Sequence, residues 1–402
     1  MPKTIVSPSP KHRAAPLAAN RNLKMARSAH AYVRGSTAEF YQWLETGPSG
    51  IPEGPPVWIC GDCHLGNLGP LADQKGRVAV QIRDLDQAVI GNPAHDLIRL
   101  GLSLASSARG SDLPGVTTAR MLEQLVRGYE AGLGGDFDTA GEKAGRPRPV
   151  RRLLDRAVRR RWRQLAEERL NTVRPVVPLG KRFWPLSKDE HRALRTLFQD
   201  DKVQAMVTAL RARSSGDPIE LVDAAYWMKG CSSLGRLRYA AMLRVGEGPD
   251  STLCLVDIKE ATTASASRSL TESMPRDNAV RIVTGAKALS PNLGERMVAA
   301  RLLGKAVVMR ELLPQDLKLE VSHMSQRKAT ALAAYLGGVV GKAHGRQMSR
   351  DVREDWINDL AKARRGALEA PSWLWTSVVS LLSIHEAAYL EHCRLYALAD
   401  AA

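Results

Sequence analysis

The stretch Val57-Trp58-Ile59-Cys60-Gly61-Asp62-Cys63-His64-Leu65-Gly66-Asn67 decides the reading of this chain. A short apolar strand runs straight into a glycine-flanked turn, and the turn carries an Asp and an Asn five positions apart. Phosphoryl transfer asks little covalent chemistry of a protein. It needs a carboxylate to orient an acceptor hydroxyl and oxygen ligands to fix Mg²⁺ against phosphates. The spacing D-x-x-x-x-N meets both needs, with Asp62 as candidate base and Asn67 as candidate metal ligand. Next along the chain, Val78–Ile82 alternates like a strand and delivers Asp84 at its end, where a second metal ligand belongs. Asp86, two residues on, shares that face if the chain stays extended, and is a third metal candidate. A single Asp in a glycine-rich turn is ordinarily a turn former. The joint pattern of strand, Asp, Asn, strand and Asp favours chemistry. His64 either supports the loop or touches phosphate. Asp96, in GNPAHDLIRL, is expected to open a helix as an N-terminal carboxylate and brace the loop.

A second constellation lies far downstream. Gly230-Cys231-Ser232-Ser233-Leu234-Gly235 links two strand candidates, and such a turn can present N–H groups and hydroxyls to phosphate oxygens. Gly230, Ser232, Ser233 and Gly235 are therefore candidate nucleotide contacts. Lys259 ends the following strand, Leu253–Ile258, where a kinase places the lysine that pairs with the α- and β-phosphates. Val307–Leu312 followed by Leu313-Pro314-Gln315-Asp316 has the form of a hinge between lobes that could hold adenine by its backbone. In ordinary kinases the glycine-rich loop precedes the catalytic loop; here it follows. The order implies a circular permutation, unless one of the two assignments is wrong.

Composition sets the outer bounds. The 402 residues suffice for two or three packed units, and an apolar content of 44% allows a sizeable interior. A net charge of +16 favours anionic partners, while 5% aromatics weakens any picture of bases stacked on aromatic platforms. Five cysteines make no disulfide framework, no long uncharged apolar run suggests a membrane span, and the basic N-terminus lacks a secretory apolar core. A cytoplasmic setting is the expectation. Residues 1–20 read as a flexible basic arm. Helical patterns cover 22–45 (broken near Arg34-Gly35), 96–133, 151–170, 188–213, 277–289, 294–303 and 322 onward, with a glycine-rich loop over 134–148. Residues 219–260 read as a small antiparallel sheet.

The chain resembles the bacterial family named domain of unknown function 2252, which itself looks related to aminoglycoside-phosphotransferase-like kinases. The resemblance covers most of the chain after residue 20. Its most specific parts are KMARSAHAYVRG (24–35), GDCHLGNLG (61–69), IRDLDQAVIGNPAHDL (82–97), KGCSSLGRLRY (229–239) and DIKEA (257–261). What it implies is that Asp62 is similar to the catalytic base and Asn67 to the metal ligand of the loop. Asp84 looks like the metal-binding Asp of the activation segment, and Lys259 like the phosphate-binding Lys. One departure is that residues 277–289 offer no Glu to pair with Lys259; Glu272 and Glu295 are the nearest substitutes in sequence. Lys24 and Arg34 are either phosphate contacts or ordinary surface charges.

Three rivals stand beside this reading. Cys60–His64 matches the C-x-x-C-H haem-attachment pattern, which requires export, and a zinc site there would lack a second ligand pair. The helix expected over 151–170 carries Arg151, Arg152, Arg156, Arg159, Arg160, Arg161 and Arg163 and could track nucleic-acid phosphates, against a solvated surface partly neutralised by Asp155, Glu167 and Glu168. A pseudokinase would bind nucleotide without turnover. The expectation is an α+β, two-lobed protein-kinase-like fold, circularly permuted. A mainly helical large lobe would comprise residues 21–215 and 321–402, and a small antiparallel-sheet lobe residues 216–320. ATP or another nucleoside triphosphate and Mg²⁺ would sit between them, with an unidentified hydroxyl-bearing acceptor.

Overall fold

In the computed structural model, residues 9–135, 137, 146–171, 175–210, 213–230, 234–317, 325–363 and 371–396 are described. The protein is a mixed helical and antiparallel-sheet structure. Its chain order begins with α1 (Ala14–Met25), α2 (Ala29–Gly35) and α3 (Thr37–Glu45). Two small two-stranded sheets follow, formed by β1 (Val57–Ile59), β2 (Leu68–Ala72), β3 (Val78–Ile82) and β4 (Val89–Gly91). β1 pairs with β4, and β2 with β3.

The helical body is built on α4 (Pro93–Arg109), α5 (Gly115–Gly134), α12 (Gln326–Gly345), α13 (Arg350–Lys362) and α14 (Ser372–Tyr396). α4 starts sharply because the Asn92 side chain accepts from the Ala94 N–H and Pro93 occupies the first turn. Its residues from Leu97 to Leu104 are all buried, so it forms the axis of this body. α5 and α12 run almost backbone to backbone. A Cβ on Gly337 would sit 2.0 Å from the Leu125 carbonyl oxygen, and one on Gly128 would sit 1.9 Å from that of Ala334. Only hydrogen side chains allow that approach.

The sheet body has six strands in the order β5-β6-β7-β8-β10-β9, every neighbour antiparallel. They are β5 (Phe183–Trp184), β6 (Ile219–Trp227), β7 (Arg238–Val245), β8 (Thr252–Glu260), β9 (Met297–Leu302) and β10 (Lys305–Leu312). Side chains alternate between two apolar layers. Tyr239, Ala241, Leu243, Val256 and Ile258 pack with α8 (Lys188–Leu197) and α9 (Asp201–Thr208) on one face. Ala240, Met242, Leu255 and Leu312 pack with Leu165 and Leu170 of α7 (Trp162–Leu170) on the other. α6 (Arg148–Arg159) precedes α7, and α10 (Asn278–Leu289) and α11 (Pro291–Gly294) lie between β8 and β9.

Several expectations change. Residues 9–20 of the N-terminal arm pack onto the protein: Arg13 donates to both carboxylate oxygens of Glu190 and Leu17 is buried in the sheet body's core. Residues 188–208 belong against the sheet rather than in the helical body. The arginine-rich segment is two helices, broken at Arg160 and Arg161, whose backbones are extended. Residues 297–302 are strand β9, not helix. β9 and β10 are joined through Leu303 and Gly304, both with positive φ, a tight hairpin turn that a leucine rarely enters. Ser232 and Ser233 lie outside the described residues. Among the described residues no helix is long and apolar enough to cross a membrane.

Candidate functional site

The loop after β1 is fixed from beneath. Gly61 has φ +70°, and a Cβ there would lie 2.2 Å from the Gln87 carbonyl oxygen, so the turn requires glycine. Asp96, fully buried in the first turn of α4, accepts from the N–H of Cys60 (2.7 Å) and of Gly61 (3.0 Å). Its Oδ2 also lies 3.2 Å from His344 Nε2, and His344 Nδ1 is 3.0 Å from the Tyr129 hydroxyl, which accepts from Trp356 Nε1. Tyr41 donates to the Gly61 carbonyl, and the Leu65 N–H donates to Ser103. The floor of the loop is thus a hydrogen-bonded chain reaching deep into α5, α12 and α13.

Register does the rest. Leu68 pairs with Ile82, so the next residues outward meet and the Arg83 N–H donates to the Asn67 carbonyl at 2.8 Å. Asn67 Nδ2 donates to the backbone carbonyls of Asp62 (3.1 Å) and Asp84 (3.0 Å). Its Oδ1 is left without a protein hydrogen bond among the described residues. Asp62 accepts from Nε of the fully buried Arg99 at 3.0 Å, and Arg99 also donates to the Val33 carbonyl and lies over the Phe40 ring. Burial pushes the Asp62 carboxyl upward, and Arg99 only partly offsets it. His64 is buried against Asp62, its Nε2 3.9 Å from Oδ2, and burial together with Arg34 holds the imidazole well below its ordinary value.

The sheet body supplies the opposite wall. Residues 238, 257, 259 and 310 share the face that meets the loop, since Arg238 pairs with Lys259 and Asp257 with Arg310 across neighbouring strands. Lys259 Nζ lies 3.4 Å from Asp84 Oδ1 and contacts Asp86 directly. The Asp84 side chain is 48% exposed to the cleft. Burial alone would raise its pKa, but Lys259, Arg310 and Arg238 outweigh this and hold it well below the usual carboxylate range. Asp86 is pushed the other way, by burial and by the charge of Asp84. Asp257 is held far down despite burial by Arg238, which grips it through Nε and Nη2.

α10 contributes an arginine where a glutamate was sought. Arg281 donates to the carbonyls of Asp86, Ala88 and Thr262, clamping the segment that carries Asp86. Lys259 therefore finds its carboxylate partners on the chain after β3. Gly230 lines the cleft, its carbonyl accepting from Lys24, whereas Gly235 is exposed beyond it. Cys60, Cys63 and Asp96 have ligand atoms within 4.8 Å of one another. Both cysteines are 0% exposed, burial pushes the Cys60 thiol well up, and the Asp96 oxygens are already engaged. The residues that spell C-x-x-C-H are interior packing around the loop.

Two cavities meet at the acidic group, and Asp62, Asn67 and Asp84 belong to the lining of both. The larger, about 380 Å³, extends past Thr37, Glu39, Tyr32 and Tyr396. The smaller, about 140 Å³, reaches Lys229, Arg169 and the end of β10 at Leu312 and Leu313. Motif reasoning missed Arg99, Arg169, Arg238, Arg281, Arg310 and His344. Arg99 had a signal, a lone charge inside the apolar run LIRLGLSL three positions after Asp96.

Fold and site together define an α+β protein with a charged cleft between a helical body and an antiparallel sheet. The chain belongs to the family described as "Uncharacterized protein conserved in bacteria (DUF2252)", whose model matches residues 13–395. No curated protein and no solved structure matches it.

Proposed function

We propose that this protein is a kinase-like, ATP- and Mg²⁺-dependent phosphotransferase with permuted motif order, acting on a hydroxyl-bearing acceptor. The observation that carries the reading is the meeting of Lys259 from the sheet with Asp84 from the loop side, beside Asp62 and Asn67, at the junction of two cavities. In-line transfer needs donor and acceptor on opposite sides of one phosphorus. A group of oxygens shared by two cavities suits that requirement.

The residues fit a hard cation. Asp84 is open and held anionic, and Asn67 keeps an amide oxygen unbonded beside it. Mg²⁺ bound there would supply charge neutralisation on phosphate oxygens. Asp62, its pKa raised by burial, is a stronger base than a solvated carboxylate and would orient the acceptor hydroxyl; Arg99 fixes its direction. Lys259 would neutralise phosphate charge, with Asp86 as the partner that sets its position. Gly230 would border the nucleotide. The sheet order and the helix α10 after the lysine strand support two kinase-like lobes, with Leu313–Asp316 as the connection between them.

Thermal shift of the full chain with nucleoside triphosphates, with and without Mg²⁺, tests this. A Mg²⁺-dependent rise in melting temperature is expected, lost in Asp84→Ala. A response that survives this change removes Asp84 as the metal ligand and the reading with it. Retained nucleotide binding in Asp62→Asn, with turnover down by about 10²-fold or more, separates catalysis from mere binding.

A further inference from the structure

The smaller cavity is lined by more cations than carboxylates. Arg34, Arg83, Arg169, Lys229, Arg238 and Arg310 line it against Asp62, Asp84 and Asp316. The carboxylates are already committed: Asp62 to Arg99, Asp84 to Lys259, and Asp316 to the buried Arg296 at 3.0 Å. Asp257, just behind the wall, is gripped by Arg238 and also lies 3.5 Å from Lys229 and 3.7 Å from Arg310, so one carboxylate is shared among three cations. Arg169 has its sequence neighbour Glu168 at 3.2 Å, and the Arg83 side chain donates to a backbone carbonyl, that of Asp316.

The deficit shows in hydrogen bonds as well. Arg34 Nε, His64 Nδ1, Arg83 Nε and Arg169 Nε are buried donor-capable atoms with no partner among the described residues, and all four side chains line this one cavity. Such atoms occur elsewhere among the described residues too, but here four of them belong to side chains gathered around one cation-lined space, which suits an anionic acceptor. The charges respond accordingly. Burial, with Arg310 and Arg169 nearby, pulls Arg83 down to about 10, and burial holds Lys229 well below its ordinary value. Guanidinium forks around a small cavity match the geometry of phosphate oxygens.

We infer that this cavity, bounded by His64, Arg83, Arg169, Lys229 and Arg310, is a binding pocket for a multiply charged phosphate anion. It lies where a purine would have to rest if Leu313–Asp316 held adenine, and its walls are mainly ionic, with Leu71, Leu312 and Leu313 as the apolar part. The phosphate end of the ligand therefore enters it, and the base lies outside. Assigning that anion to the nucleotide rests on the phosphotransferase reading; the pocket itself does not.

Calorimetric titration of the full chain with inorganic tripolyphosphate in the absence of Mg²⁺ is the test, with adenosine as the control. Tripolyphosphate should bind and adenosine should not. Arg169→Gln and Arg34→Gln, both at positions of intermediate burial, should each weaken tripolyphosphate at least tenfold with the melting temperature nearly unchanged. Displacement of tripolyphosphate by ATP with Mg²⁺ assigns the pocket to the nucleotide's own chain, and simultaneous binding assigns it to an anionic acceptor. Binding of adenosine alone, or tripolyphosphate affinity unchanged in both variants, overturns the proposal. Asp84→Ala keeps the two readings apart: it should abolish the Mg²⁺-dependent nucleotide response and leave tripolyphosphate binding in place.

Discussion

Two faces of the same loop handle buried polarity in opposite ways. Below it, Asp96, His344, Tyr129 and Trp356 form a chain in which each polar group meets another, and Asp96 and His344 are 0% exposed. Above it, Arg34, His64, Arg83 and Arg169 crowd a cavity with donors left over. Both faces are polar and both are largely shielded from solvent. A completed network rigidifies, whereas an incomplete one carries an energetic penalty that a ligand can relieve. The lower face is scaffold and the upper face is reception.

The largest expected effect comes from cutting the completed network. Asp96→Ala strands the N–H groups of Cys60 and Gly61 and leaves His344 without its carboxylate. Each stranded buried group costs about 1–3 kcal/mol, so the variant should lose roughly 4 kcal/mol in urea denaturation. A loss below about 1 kcal/mol would mean that the loop is braced elsewhere, and the contrast between the faces would not hold.

Acid should act next. His30 and His385 are held down at about 4, chiefly by burial, and His64 lies well below its ordinary value for the same reason. Between pH 6.5 and about 4 the unfolded chain takes up protons at these positions while the folded chain does not. Stability therefore falls as pH drops through that window, by up to about 1.4 kcal/mol per pH unit for each proton. Denaturation midpoints measured across the window should show the decline. His385→Gln should flatten it whether or not an anion is present. For His64, saturating tripolyphosphate should itself flatten the decline, because an anion in the cavity favours the imidazolium. An identical effect of tripolyphosphate in His64→Gln would detach that residue from the upper face.

How much of this was legible in the sequence follows from the range of the interactions. The offset between Asp62 and Asn67, the strand that delivers Asp84 and the strand that ends in Lys259 are local patterns. The structure brings those residues within one cleft. β9 escaped notice because its turn depends on Leu303 adopting a positive φ, which pairing with β10 imposes. The break at Arg160 escaped notice because the pattern of α6 continues in phase into α7, and the break is set by how α7 docks on the sheet. The partner of Lys259 was sought on the following helix. It lies on the segment after β3, some 170 residues earlier, a pairing that only tertiary structure creates.

The smallest stability effect should come from Arg169→Gln, and its smallness is the point. Arg169 projects from the end of α7 toward Arg83 and Arg310, and its carboxylate contact is with its own neighbour Glu168, which also pairs with Arg160. Removing the charge relieves repulsion among the three guanidinium groups and gives up one partly exposed pair worth little on its own. The two terms oppose each other, so the change in unfolding free energy should stay within about 0.5 kcal/mol of zero. Anion affinity should meanwhile fall at least tenfold, since a charge-assisted bond to phosphate is lost from a shielded site. A residue kept for folding shows the reverse pattern, as Asp96 should. If Arg169→Gln instead unfolds the protein as Asp96→Ala is expected to do, the upper face is also scaffold, and the unpaired donors above the loop need another explanation.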